Sequence, residues 1–168
     1  MIKVFKNFIN YKDQQKINET ILSPRWLWGH RSNPIMSHND SEFFWQIPYL
    51  IKEEFYSVYL YNKIKEVTGD DFTVERIYMN GHTAGSQGNI HKDTHVENGR
   101  TFLIYCNENW NPEHGGGTMF MQDDEITTYY PYPYSAIYFK NDIDHCATPI
   151  SKMFKGLRVT LAYKLYTI

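Results

Sequence analysis

Gly69 divides the chain into two kinds of pattern, and that division limits the folds open to it. Upstream, Asn10 followed by Asp13 has the form of a helix N-cap with a carboxylate in the first turn, which predicts a helix over 11–22. Pro48 is placed to open a second helix. In it Tyr56, Leu60, Ile64 and Val67 form one apolar stripe, and Gly69 is placed to end it. KVFKNFI at 3–9 reads as a short strand. Residues 23–47, with Pro24, Gly29, Pro34, Trp26, Trp28 and Trp45, read as an extended aromatic-rich loop. Downstream the pattern changes to short runs rich in β-branched and aromatic residues: FTVERIYMN (72–80), RTFLIYCN (100–107), TMFMQ, ITTYY, SAIYFK and LRVTLAYKLY, separated by Pro, Asp, Asn and Gly. Residues 81–89 read as a Gly-rich loop leading into a strand at His91–Asp93, and 107–117 as a turn. Helices first and roughly seven or eight strands after them predict an α+β, mainly β, fold with the helices packed on a strand-built barrel or sandwich.

At 168 residues a single domain is expected, with 1–69 as helical and loop support and 70–168 as the strand core. Aromatics make up 17% of the chain, which suits sheet packing and a folded state. The formal charge of −2 offers no broad basic field for nucleic acid. No apolar run is long enough to span a membrane and the N-terminus lacks a signal-peptide core, so a soluble cytoplasmic protein is expected. Cys106 and Cys146 each sit in an apolar stretch and read as buried thiols rather than a disulfide framework.

The chemistry is concentrated in His91, Asp93, His145 and Arg158. In a strand, residues i and i+2 share a face with about 6.5–7 Å of rise between them, so His91 and Asp93 are able to reach one ion, with His145 supplied from elsewhere in the fold. Two histidines and one carboxylate on one face of a metal leave the other face open for a small molecule and oxygen, the ligand set of non-haem Fe(II) oxygenases. Arg158 then supplies a fixed cation for a co-substrate carboxylate. Alternation in the last strand places Arg158, Thr160 and Ala162 on one face, able to line a cavity. Leu157, Val159, Leu161 and Tyr163 fall on the other, able to pack on the helices. Thr101, Leu103 and Tyr105 likewise share a face, which offers the Tyr105 hydroxyl to the carboxylate that Arg158 holds. His95 is expected just outside the metal shell near the substrate mouth, while His30, His38, His82 and His114 read as solvated or turn residues. GGG at 115–117 reads as a tight turn, since no GK[ST] follows it, and Asp123, Asp124 and Glu125 as a solvated one.

Over about residues 70–166 the chain resembles the 2-oxoglutarate- and Fe(II)-dependent dioxygenases, in their prolyl 4-hydroxylase-like branch. The likeness is carried by RIYMN, HKD, RTFLIYCNENW, GGGTMF, AIYFKNDIDHCATPI and LRVTLAY, in that order. It implies a double-stranded β-helix, or jelly roll, with supporting N-terminal helices. It implies that His91, Asp93 and His145 hold iron and that Arg158 binds the distal carboxylate of 2-oxoglutarate, assisted by Tyr105 and Thr160, with Tyr78 facing the co-substrate. The loop between Tyr78 and His91 looks long, and the place where relatives often show Trp is Tyr163 or Lys164 here.

The activity implied is hydroxylation of a C–H bond, of a prolyl residue in a peptide or protein, with 2-oxoglutarate and O2 consumed, succinate and CO2 released, and ascorbate as an accessory reductant. A carboxylate in the third ligand position leaves no site for halide, which favours hydroxylation over halogenation. Two other readings stay open. One is oxidative demethylation of nucleic-acid bases, a branch with a second basic residue six after the first, where Lys164 stands after Arg158. The other is a non-catalytic metal-binding jelly-roll module. The loops at 81–90 and 30–45 are expected to shape substrate access, with Gly81, Gly85 and Gly88 making the first of them mobile.

Overall fold

The computed structural model describes residues 1–32 and 42–168. His38, Pro34 and the middle of the expected 30–45 access loop lie outside the described residues. Strand β1 (Ile2–Phe5) leads into helix α1 (Tyr11–Ile21). Asn10 closes a capping box there: its side chain accepts from the Asp13 N–H at 3.0 Å while the Asp13 carboxylate accepts from the Asn10 N–H. Residues 23–47, expected as loop, contain two strands, β2 (Leu27–His30) and β3 (Phe44–Ile47). They pair with each other and β3 pairs with β4 (Phe72–His82), so sheet partners decide what local periodicity left blank. Among its described residues the segment 1–69 therefore supplies three strands as well as helices.

The second helical region opens with a π-helical stretch, Phe55–Leu60, and continues as α2 (Tyr61–Thr68) to Gly69, whose φ of 75° provides the left-handed C-cap. The buried stripe differs from the one expected. Tyr56, Leu60, Ile64 and Thr68 are buried, a strict four-residue repeat, while Val67 is exposed. Downstream come β5 (Gly99–Tyr105), β6 (Thr118–Gln122), β7 (Glu125–Tyr129), β8 (Ala136–Lys140), β9 (Asp144–Ala147) and β10 (Arg158–Thr167).

A seven-stranded antiparallel sheet in the order β1-β8-β5-β10-β4-β3-β2 faces a three-stranded sheet in the order β7-β6-β9, the jelly-roll arrangement expected. β10 is the spine of the large sheet, and its two faces do different work. Val159, Leu161, Tyr163 and Leu165 enter the main core with Ile17, Leu60 and Ile64 of the helices. Tyr163 also donates to the Tyr56 carbonyl at 3.0 Å. Arg158, Thr160, Ala162 and Lys164 face the space between the sheets. A smaller core, Tyr105, Phe120, Ile137, Phe139 and Ile143, closes the sandwich on that side. Cys106 and Cys146 are both buried and unpaired with each other. No helix among the described residues is long and apolar enough to cross a membrane.

Candidate metal centre and cavity

A cavity of about 390 Å3 lies between the sheets. At one end it is lined by His91, Asp93 and His145, and farther along β10 by Arg158. The local backbone around the first ligands differs from the strand expected. His91 makes a single antiparallel bridge to His145, with N–H···O bonds of 3.0 Å in both directions, and Asp93 sits in a bend held by its N–H to the Asn141 carbonyl at 2.9 Å. The ligand face is thus built by pinning residues 91–94 against β9 and the β8–β9 turn, not by strand alternation. His145 lies on β9, a strand too short and polar to stand out in the sequence.

Each imidazole is oriented from behind. His91 Nδ1 lies 2.7 Å from the Asn89 carbonyl and His145 Nδ1 lies 2.8 Å from the Ile143 carbonyl. A protonated Nδ1 in both rings leaves Nε2 with a free lone pair, the form that ligates a metal. Those Nε2 atoms stand 3.5 Å from Asp93 Oδ1 and 3.6 Å from Asp93 Oδ2, respectively, and the three ligand atoms lie within 4.8 Å of one another. Burial pushes the His145 imidazole down to about 4, against the pull of Asp93, so it is neutral at ordinary pH. Burial alone would raise the Asp93 carboxyl, but the Lys164 ammonium and the His91 contact override it and hold the group well below the usual carboxylate range. Two imidazoles presenting Nε2 and one ionised carboxylate fit a divalent cation.

Two residues that the expected ligand set did not include complete this end. Lys164, 4% exposed, pairs with Asp93 Oδ2 and donates to Thr101 Oγ1 at 3.0 Å, and Thr101 Oγ1 lies 2.6 Å from the same Oδ2. The alternation of β10 extended to Lys164 would have put it on the cavity face. Of the two places weighed for the missing Trp, Tyr163 faces the helices and Lys164 the cavity.

Arg158 is buried at 2% exposure. Its Nε donates to the Gly116 carbonyl at 2.6 Å, its guanidinium carbon lies 5.5 Å from the Tyr105 ring centroid, and its Nη2 has no hydrogen-bond partner. GGG is therefore more than a turn. Gly115 and Gly116 take φ of 64° and 68°, and a Cβ on Gly116 would come within 3.3 Å of the Arg158 side chain. The Tyr105 hydroxyl, expected to face the co-substrate, donates to Thr118 Oγ1 at 2.6 Å, and its ring carries the guanidinium instead. Thr160 lines the cavity across from Asn80, and Tyr78 lines it with its hydroxyl pKa raised by burial.

His82, read as a loop residue, is on β4 directly across from Arg158 and 4% exposed; burial lowers it to about 3. Its Nδ1 and the Asn80 Oδ1 lack partners. His30 lines the cavity on β2 and is lowered to about 4 by burial. His95 is exposed at the cavity rim, as expected, and His114 packs in an aromatic cluster with Trp110 and Phe154. The 81–90 loop is tied down rather than free. Gly81 belongs to β4, and the Gly85 and Gly88 N–H groups donate to the Ile150 and Ala147 carbonyls, each at 2.9 Å.

No family model matches the chain, and no curated protein matches it. Solved structures do. A prolyl hydroxylase from Trichoplax adhaerens, in complex with a hypoxia-inducible-factor peptide fragment, superposes with a TM-score of 0.77 at 15% identity over 98% of this chain and 83% of that one. The viral collagen prolyl hydroxylase of Paramecium bursaria Chlorella virus-1 gives 0.67 at 14% identity over 99% and 96%. HygX from Streptomyces hygroscopicus, with nickel and 2-oxoglutarate bound, gives 0.73 at 10% identity over 98% and 82%. The chain has the jelly-roll fold of the 2-oxoglutarate–Fe(II) oxygenases.

Proposed function

We propose that this protein is a 2-oxoglutarate- and Fe(II)-dependent dioxygenase that hydroxylates a C–H bond, with a prolyl residue of a peptide or protein as its substrate. The observation that carries the reading is one cavity holding a His–Asp–His ligand set at one end and a buried guanidinium with an unpartnered Nη2 at the other. The overall reaction converts substrate C–H, 2-oxoglutarate and O2 into the alcohol, succinate and CO2. Bound Fe(II), held by His91, Asp93 and His145, would supply the oxygen-activating redox chemistry.

The protein's own residues bind and orient. Arg158 receives the distal carboxylate of 2-oxoglutarate on Nη2 while Nε stays on Gly116, so the guanidinium arrives already aimed. The Tyr105 ring, fixed by its hydroxyl bond to Thr118, lies against the guanidinium, and Thr160 and Tyr78 border the co-substrate space. Leu103, Phe139 and Phe44 set apolar patches into an otherwise largely polar wall. Ascorbate enters as an accessory reductant. The Trichoplax and viral neighbours are prolyl hydroxylases, which supports a prolyl substrate, while HygX is seen with hygromycin B bound.

The test is mass spectrometry for a +16 product across Pro-containing peptides, free amino acids and methylated oligonucleotides, with iron-dependent succinate measured in parallel. Hydroxyproline coupled to succinate is the expected result. Demethylated oligonucleotide would move the protein to the nucleic-acid branch, and no succinate under any condition would leave it a non-catalytic module.

A further inference from the structure

The cation beside the metal ligands is a feature that the His–Asp–His set does not require. Lys164 is fixed by the register of β10, directly across from Thr101 on β5, and both side chains converge on one oxygen of Asp93. Oδ2 thus carries the Lys164 ammonium, with the Thr101 hydroxyl 2.6 Å away. Oδ1 faces His91 Nε2 at 3.5 Å, and Oδ2, besides its contacts with Lys164 and Thr101, lies 3.6 Å from His145 Nε2. Asn141 Oδ1, 2.7 Å from the Thr101 oxygen, competes with Oδ2 for its single hydroxyl proton, and the Asn141 backbone carbonyl takes the Asp93 N–H. Thr101, Asn141 and Lys164 are buried, and Asp93 is tied to Asn141 through its backbone N–H.

We infer that Lys164 is a positioning residue for the metal site: with Thr101 it occupies Oδ2 of Asp93, so that a divalent cation is bound through Oδ1 alone. The inference rests on the metal reading proposed above. Its consequence is stoichiometric. A six-coordinate cation held by three protein atoms keeps about three positions for other ligands, whereas a carboxylate biting with both oxygens leaves about two. A keto acid that chelates through two atoms would then fill the site completely. Lys164 does not raise cation affinity, because its charge opposes the incoming ion; its role is to preserve a position. A Lys164 that merely neutralised Asp93 in the folded chain would leave the number of positions unchanged when removed.

Mn(II) alone is the probe, with bound water counted by water-proton relaxation and affinity by titration, in wild type, Asp93→Ala, Lys164→Met and Thr101→Val. Wild type is expected to hold about three exchanging waters, and Lys164→Met about two at equal or tighter Mn(II) affinity. Thr101→Val, which leaves the ammonium in place, shifts the count in the same direction by less. An unchanged count in a folded Lys164→Met overturns the inference while the metal site stands. Absence of Asp93-dependent Mn(II) binding in wild type instead overturns the metal reading. If Lys164→Met does not fold, Thr101→Val decides: an unchanged water count and affinity there contradict the role assigned to the pair.

Discussion

The two ends of the cavity are built on opposite principles. At the metal end every charge already has a partner: Asp93 is held by Lys164 and Thr101, and both ligand imidazoles are steered by backbone carbonyls. At the Arg158 end the polar atoms are buried without partners: Arg158 Nη2, His82 Nδ1 and Asn80 Oδ1. An unpartnered buried polar group costs about 1–3 kcal/mol, so three in one place mark a surface shaped for a ligand rather than for folding. The difference teaches that pre-organisation takes two forms. One end holds its geometry by internal pairing. The other stores uncompensated polarity, of which a carboxylate would relieve the Arg158 Nη2 donor.

Breaking the satisfied end gives the largest effect. Asp93→Asn or Lys164→Met alone leaves one buried partner exposed to an apolar setting, and urea denaturation of the metal-free protein should show a loss of about 3–5 kcal/mol. The double variant should recover most of it; additive losses would mean that the pair is not coupled. Next is ligand affinity at the open end. Arg158→Lys removes the planar fork, and calorimetry should find 2-oxoglutarate binding weakened by about 10- to 150-fold, corresponding to about 1.5–3 kcal/mol, with Mn(II) affinity kept. The smallest effect sharpens the contrast most. Arg158→Met removes a partly unpartnered charge, so the stability of the ligand-free protein should change by no more than about 1 kcal/mol. A loss as large as that of Asp93→Asn would show that Arg158 is structural and that the two ends do not differ.

How far the sequence disclosed this arrangement depends on the kind of signal. The faces of β10 were legible because alternation is local: Val159, Leu161 and Tyr163 against the helices, Arg158, Thr160 and Ala162 toward the cavity. The Asn10 cap and the Gly69 stop were legible for the same reason. β2 and β3 were not, because their order comes from pairing with β4 across the sequence. His82 was hidden by its neighbours: a histidine between Gly81 and Thr83 reads as loop, yet β4 runs on through it because β10 offers Arg158 as its partner. The Tyr105 hydroxyl was placed on the correct face but turned to Thr118, a contact that no spacing encodes. In α2 the buried stripe runs through Ile64 to Thr68 rather than to Val67.

The central claim is that one cavity binds a divalent metal and a keto acid together. Anaerobic titration of the protein with Fe(II) and 2-oxoglutarate tests it most directly, through the visible charge-transfer band that arises only when the keto acid chelates ferrous iron. The band is expected in wild type, lost in Asp93→Ala, and displaced to much higher 2-oxoglutarate concentration in Arg158→Lys. No band in wild type at saturating concentrations of both, or an undiminished band in Asp93→Ala, would contradict the account.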